Sequence, residues 1–81
     1  MNVILSDEAV KFLRKLPGKD ASIILKKLYS IRNDPYPHLK KLQGAKLWRL
    51  RVLKYRAIID IVIKAHTLYV VQIGYRKNVY D

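Results

Sequence analysis

The chain has 81 residues, enough for one small core built from a single helical layer on a single sheet. Its 17 Lys and Arg against 6 Asp and Glu give a formal net charge of +11 at pH 7. That excess points to a polyanionic partner: nucleic acid first, an anionic membrane surface second, with an acidic protein also compatible. There is no cysteine, which excludes a disulfide framework and a thiolate metal site, and the histidines His38 and His66 are too few and too far apart to suggest zinc.

Residues 2–5 form a short apolar run that reads as an edge strand. The opening MNVILSDEAV has no basic segment ahead of an apolar run. No apolar stretch approaches the roughly 20 residues that span a bilayer. The expectation is a soluble cytoplasmic protein without a membrane partner. Ser6 is placed to N-cap a first helix, with Asp7 and Glu8 in the first turn, where the helix dipole favours negative charge. Val10, Leu13 and Leu16 recur at helical spacing, and Pro17-Gly18 ends the run. Asp20 is placed to cap a second helix, whose apolar positions Ile24, Leu25, Leu28 and Ile31 keep the 3.6-residue period, with Lys26 and Lys27 outside. That helix stops near Asn33, ahead of Asp34-Pro35-Tyr36-Pro37. The two helices read as an antiparallel hairpin.

After a basic connection over residues 38–46 the period switches to two. Strands are expected at 46–52, 55–63 and 68–75, with short turns at Leu53-Lys54 and around Ala65. The first of these strands and the start of the next read LWRLRVLKYR, with apolar and basic residues alternating along nearly the whole stretch. Successive strand side chains point to opposite faces, so Trp48, Leu50 and Val52 turn to the core and Arg49 and Arg51 to the open side. Leu53-Lys54 lacks the Gly or Asn of a favoured hairpin turn, but a two-residue loop there sets Arg51 opposite Arg56 and keeps Arg49, Arg51 and Arg56 on one face. On the third strand the more apolar set, Tyr69, Val71, Ile73 and Tyr75, is assigned to the helices together with Tyr55, Ala57, Ile59, Ile61 and Ile63. Gln72, Gly74 and Arg76 then fall on the arginine side. The predicted fold is α+β in the order βααβββ, one domain over residues 1–81, with two helices on one face of a four-stranded sheet.

Between Lys40 and Ile59 there are seven basic residues, Lys40, Lys41, Lys46, Arg49, Arg51, Lys54 and Arg56, and no acidic one. A lone strand Lys or Arg is ordinarily a guard against edge-to-edge pairing. Four arginines on one face go beyond that, because like charges directly across strands destabilise the sheet. Arginine rather than lysine also suits phosphate, which its planar fork can hold through two hydrogen bonds. Tyr80 lies four residues after Arg76 and is a candidate to stand near that face. Trp48 and Tyr75 are assigned to the core, and His38 and His66 to loops.

On these residues the chain resembles the RelE/ParE superfamily of toxin–antitoxin toxins, most closely its RelE-type messenger-RNA endonucleases. The segments that carry the likeness are LQGAKLWRLRVLKYRAI and IGYRKNVY: a basic strand, a Tyr-Arg opening the next strand, and a closing Arg-Lys with a nearby Tyr. The order of strand, helical hairpin and three-stranded meander extends it over nearly the whole chain. The resemblance implies metal- and cofactor-independent cleavage of messenger RNA in the ribosomal decoding site by attack of a ribose 2′-hydroxyl on the adjacent phosphate, held in check by a cognate antitoxin. It further implies that Arg49 and Arg51 neutralise the RNA backbone, that Arg56 contacts the scissile phosphate, and that Arg76 stabilises the transition state or serves the leaving group. Tyr80 would stack on a base or assist proton transfer, and Lys40, Lys41, Lys46, Lys54 and Lys77 would add RNA-binding charge. Some members carry Lys where this chain has Arg49 and Arg51. A guanidinium is a poor general base, so the identity of the base stays open. Two other readings suit the same composition: a ParE-like inhibitor of DNA gyrase and a non-catalytic RNA- or ribosome-binding module.

Overall fold

A computed structural model describes residues 1–77. Strand β1 (Asn2–Leu5) leads into helices α1 (Asp7–Arg14) and α2 (Gly18–Ile31), a 3-10 turn follows at Tyr36–His38, and then come β2 (Lys40–Lys41), β3 (Trp48–Val52), β4 (Tyr55–Val62) and β5 (Thr67–Tyr75). The sheet order is β1-β5-β4-β3-β2. β1 runs parallel to β5 at one edge, and the other pairings are antiparallel. Among the described residues the sheet therefore has five strands rather than the expected four. The extra one, β2, is the two-residue pairing of Lys40 with Arg49 and Lys41 with Trp48, too short to leave a periodic signal. No helix among the described residues is long and apolar enough to cross a membrane.

Ser6 starts α1 as expected: its Oγ accepts the Ala9 N–H at 3.1 Å. The same hydroxyl donates to the Val71 carbonyl at 2.6 Å, and the Ser6 N–H donates to the Val70 carbonyl at 2.9 Å, so the cap also ties the helix to β5. The buried positions of α1 are Ala9 and Leu13, with Phe12 and Leu16 packed against the core. The expected Val10 is only partly covered, and Ala9 takes the close approach to the sheet because it is small. The cap of α2 also differs from expectation. Pro17, not Asp20, occupies the N-cap position, and Asp20 sits in the first turn. Its carboxylate instead accepts a 2.6 Å hydrogen bond from the Tyr55 hydroxyl.

The core joins Ala9, Leu13, Ile24, Leu28 and Ile31 of the helices to Leu50, Val52, Tyr55, Ala57 and Ile59 of β3 and β4, and to Leu68, Val70 and Ile73 of β5. Each fully buried Leu, Ile or Val side chain in this set contributes about 1.5–3 kcal/mol. The expected alternation holds at Ile73 and then slips by one residue, so that Leu68 and Val70, not Tyr69 and Val71, face the helices. A register shift causes it: Ile58 pairs with Gln72 but Ile59 with Val70, leaving Val71 as the extra residue of a β-bulge. Val71 is also the residue whose carbonyl accepts the Ser6 hydroxyl. Ile63 is corrected too; it lies beyond β4 in the following turn and is 72 % exposed.

The β3–β4 connection is the two-residue turn Leu53-Lys54, with Val52 opposite Tyr55 and Arg51 opposite Arg56. Leu53 has φ +54°, a left-handed conformation that a residue with a Cβ adopts at a cost of about 1–2 kcal/mol. The turn is held from the other side by the Arg76 N–H, which donates to the Lys54 carbonyl at 3.0 Å.

Candidate functional site

The pairing Arg51↔Arg56 and Arg49↔Ile58 puts Arg49, Arg51, Arg56 and Ile58 on the sheet face away from the helices. On β5 the partners of Arg56 and Ile58 are Gly74 and Gln72, so the space beside Arg56 is not taken by a β5 side chain. Ile58 is fully buried between its register partners Arg49 and Gln72, and Arg56 is only 4 % exposed. The face is thus a floor with structure of its own and not a fringe of mobile cations. Two residues beyond Ile58 the charge changes sign, at Asp60 opposite Tyr69. The cationic region therefore occupies the β3 side and the β4 start, and not the whole sheet.

Two separate hollows divide this region. The larger, an open cleft of about 780 Å³, is lined by Lys54, Arg56, Tyr75, Arg76 and Lys77. It brings together Arg56 and Arg76, the two arginines expected at the reacting phosphate, and two of the lysines expected to bind RNA. The hydrogen bond from the Arg76 N–H to Lys54 fixes Arg76 against the β3–β4 turn. Arg56 comes from the start of β4, so the cleft lies where the end of β5 meets the β3–β4 hairpin.

Tyr75 is a residue that the sequence reading placed in the core. By register it is on the helix face, opposite Tyr55, but it lies at the last position of β5 and is 40 % exposed. Its ring meets Phe12 edge-on, with centroids 5.5 Å apart, and lies 5.4 Å from the Tyr55 ring. The Lys54 ammonium stands 5.9 Å from the centroids of both tyrosine rings, a cation–π arrangement on the cleft wall. Behind it, the Tyr55 phenol is pushed up to about 12, first by its hydrogen bond to the Asp20 carboxylate and then by burial. Tyr55 is therefore a neutral brace between β4 and α2 and holds its proton throughout the physiological range.

Arg49 and Arg51 line a second hollow of about 350 Å³, together with Lys27, Pro37, His38, Leu39, Lys40 and Leu50. The four arginines expected to converge on one surface are thus split two and two. Lys41 is turned away from them: it pairs with Trp48, and its ammonium lies 4.7 Å from the indole centroid. Trp48 is half-buried against the core rather than enclosed by it, with Tyr36 edge-on at 5.3 Å. Lys46 is exposed in the β2–β3 connection and lines neither hollow. Tyr80 lies outside the described residues. Among the lining residues with a polar or charged side chain, Lys27, His38 and Tyr75 were not expected at the site, because helix, turn and strand end each look unremarked until the fold places them beside the arginines. Among the described residues no group of three His, Asp or Glu side chains converges as a metal site would require.

No protein-family model matches the chain, and no curated protein matches it in sequence. Solved structures do match it in shape. The RelBE toxin–antitoxin complex from Mycobacterium tuberculosis superimposes with a TM-score of 0.84 at 20 % identity, over 93 % of this chain and 96 % of that one. The archaeal RelE–RelB complex from Pyrococcus horikoshii gives a TM-score of 0.81 at 24 % identity, covering 96 % of this chain and 97 % of that one. The RelB–RelE complex from Methanococcus jannaschii gives 0.72 at 25 % identity, over 96 % and 95 % of the two chains. Over nearly its whole length, the chain has the fold of the RelE/ParE superfamily.

Proposed function

We propose that the chain is the toxin of a type II toxin–antitoxin system and that it acts as a ribosome-dependent, metal-independent endoribonuclease on messenger RNA. The observation that carries this reading is the cleft holding Arg56 at its floor beside Arg76, Lys54 and Lys77. In the proposed reaction a ribose 2′-hydroxyl gives up its proton to a base and its oxygen bonds to the adjacent phosphorus, while the bond from phosphorus to the 5′-oxygen breaks and that oxygen takes up a proton, leaving a 2′,3′-cyclic phosphate and a 5′-hydroxyl. Negative charge builds on the phosphoryl oxygens as the bond order shifts. Guanidinium groups already in place oppose it without reorganising, the kind of electrostatic contribution that can lower a barrier by several kcal/mol. Arg56 is assigned to the scissile phosphate, Arg76 to the transition state and leaving group, and Tyr80 to base stacking or proton transfer. Arg49, Arg51 and Lys40 are assigned to the RNA backbone.

The relatives of this fold were solved as complexes of RelE with RelB, which supports a cognate antitoxin as a partner here. An acidic, extended or partly helical segment would neutralise the arginine face. Mapping transcript 5′ ends in cells after induced expression tests the reading. New ends within translated frames, absent when translation is blocked, are expected. Intact transcripts accompanied by DNA-damage signalling would replace it with gyrase inhibition, and neither effect would leave a binding module for RNA or ribosomes.

A further inference from the structure

Cleavage requires a proton at the 5′-oxygen as its bond to phosphorus breaks, and the cleft limits what can supply it. The cleft is lined by Lys54, Arg56, Tyr75, Arg76 and Lys77, and among the described residues no carboxylate and no imidazole joins them. His38 lines the separate hollow with Arg49 and Arg51, and His66 lies in the turn between β4 and β5. The two arginines of the cleft suit charge better than proton transfer. A guanidinium is an acid of pKa above about 12, whereas an alkylammonium, at about 10.4, releases its proton on the order of 10²-fold more readily.

Lys54 is an ammonium that the fold holds in place. It ends the two-residue turn between β3 and β4, and its carbonyl accepts the Arg76 N–H at 3.0 Å, so the turn and the end of β5 are joined beside the cleft. Its ammonium stands 5.9 Å from the ring centroids of both Tyr55 and Tyr75. Both rings are fixed in turn. Tyr55 is 1 % exposed and donates to the Asp20 carboxylate at 2.6 Å, and Tyr75 meets Phe12 edge-on. An ammonium carries three N–H donors, so two ring contacts leave one for a third partner, and Lys54 is exposed where it lines the cleft. Lys77, the other lysine there, stands two residues past the end of β5.

We propose that Lys54 is the general acid of the reaction and gives its proton to the 5′-oxygen as that oxygen leaves phosphorus. The assignment rests on the reading of the chain as a ribonuclease, and it gives Lys54 a role beyond RNA-binding charge. The electron pair of the breaking bond goes to the 5′-oxygen, the oxygen takes a proton from the ammonium, and the neutral amine regains one from water. Arg56 and Arg76 then oppose the negative charge on the phosphoryl group and keep their own protons.

The test is single-turnover cleavage of two messages on programmed ribosomes, one ordinary and one with sulfur in place of the bridging 5′-oxygen at the position where the ordinary message is cut. A thiol has a pKa of about 8.5, so a thiolate departs without a proton and has no need of an acid. Lys54→Arg keeps the charge at an exposed turn position, so the fold is kept. It is expected to cut the ordinary message about 10²- to 10⁴-fold more slowly, the usual contribution of a positioned acid, and the sulfur message at the rate of the unaltered chain. Arg56→Met is expected to be slow on both, because charge builds on the phosphoryl oxygens with either leaving atom. Lys54→Arg that cuts the ordinary message at full rate, or is slowed equally on both, would overturn the assignment while leaving the nuclease reading in place. Sulfur that instead restores Arg76→Ala, Tyr75→Phe, Lys77→Arg or Tyr80→Phe would overturn it in favour of that residue. An unaltered chain that cuts neither message would overturn both readings.

Discussion

Arg51 and Arg56 stand directly opposite one another across the Leu53-Lys54 turn, projecting from adjacent strands to the same side of the sheet. Like charges in that relation destabilise a strand pair by a few tenths of a kcal/mol or more. The pair nevertheless divides its labour: Arg51 is exposed and lines the second hollow, whereas Arg56 is buried at the floor of the larger cleft.

Removing the charge at Arg56 or Arg76 is expected to lower single-turnover cleavage on programmed ribosomes by about 10²- to 10³-fold each, the usual loss for one preorganised donor. Because Arg56 is 4 % exposed, Arg56→Met is the informative variant; it keeps the aliphatic stem that fills the floor, which Arg56→Ala would not. Arg76 is exposed, so Arg76→Ala suffices. Arg49→Ala and Arg51→Ala are expected to act more mildly, mainly on binding. Wild-type rates in both Arg56→Met and Arg76→Ala would move the active site out of this cleft.

Ser6→Ala is expected to destabilise the fold by about 1–2 kcal/mol, since it removes both the helix cap and the donor to the Val71 carbonyl. Ser6→Asp restores an acceptor for the Ala9 N–H but no donor for Val71, and should recover only part of the loss. Chemical denaturation of the three proteins decides between this and a purely local capping role, in which Ser6→Asp would recover fully.

Leu53→Gly and Leu53→Asn should each raise stability by about 0.5–1 kcal/mol, because these residues accept the φ of +54° with less strain and Leu53 is half exposed. For a domain of this size that is a rise in Tm of about 2–8 °C. A fall in Tm would mean that the Leu53 side chain packs to more effect than its exposure suggests.

Tyr55 links stability to alkaline pH. Its folded value of about 12 lies above the ordinary phenol value of about 10, so the fold favours the protonated form. That contribution is fully present below pH 10 and is lost as pH rises toward 12. Comparing denaturation midpoints of the wild type and Tyr55→Phe from neutral to strongly alkaline pH should show the gap between them closing over that window. A gap independent of pH would remove the Asp20 hydrogen bond as its cause.

Alternation along a strand is a local property, and across a two-residue turn it carries over to the neighbouring strand without further information. For that reason the sequence by itself determined the meander, the shared face of Arg49, Arg51 and Arg56, the Ser6 cap and the apolar stripe of α2. It also carried the likeness to RelE, which the shape of the folded chain bears out. What it left undecided depended on contacts between distant segments. The bulge at Val71 shifts β5 by one residue, and the Ser6 hydroxyl bonded to the Val71 carbonyl lies 65 positions away. A parity argument starting from Tyr75 could not foresee that break. Ala9 replaced Val10 in the core because closeness of approach, not hydrophobicity, chose the position. Tyr75 stayed partly open because β5 runs to the rim of the packed face, and only the placement of Phe12 shows where that rim lies. The division of four arginines between two hollows likewise waited on the fold: α2 had to bring Lys27, and the 3-10 turn His38, beside β3 before the second hollow could form.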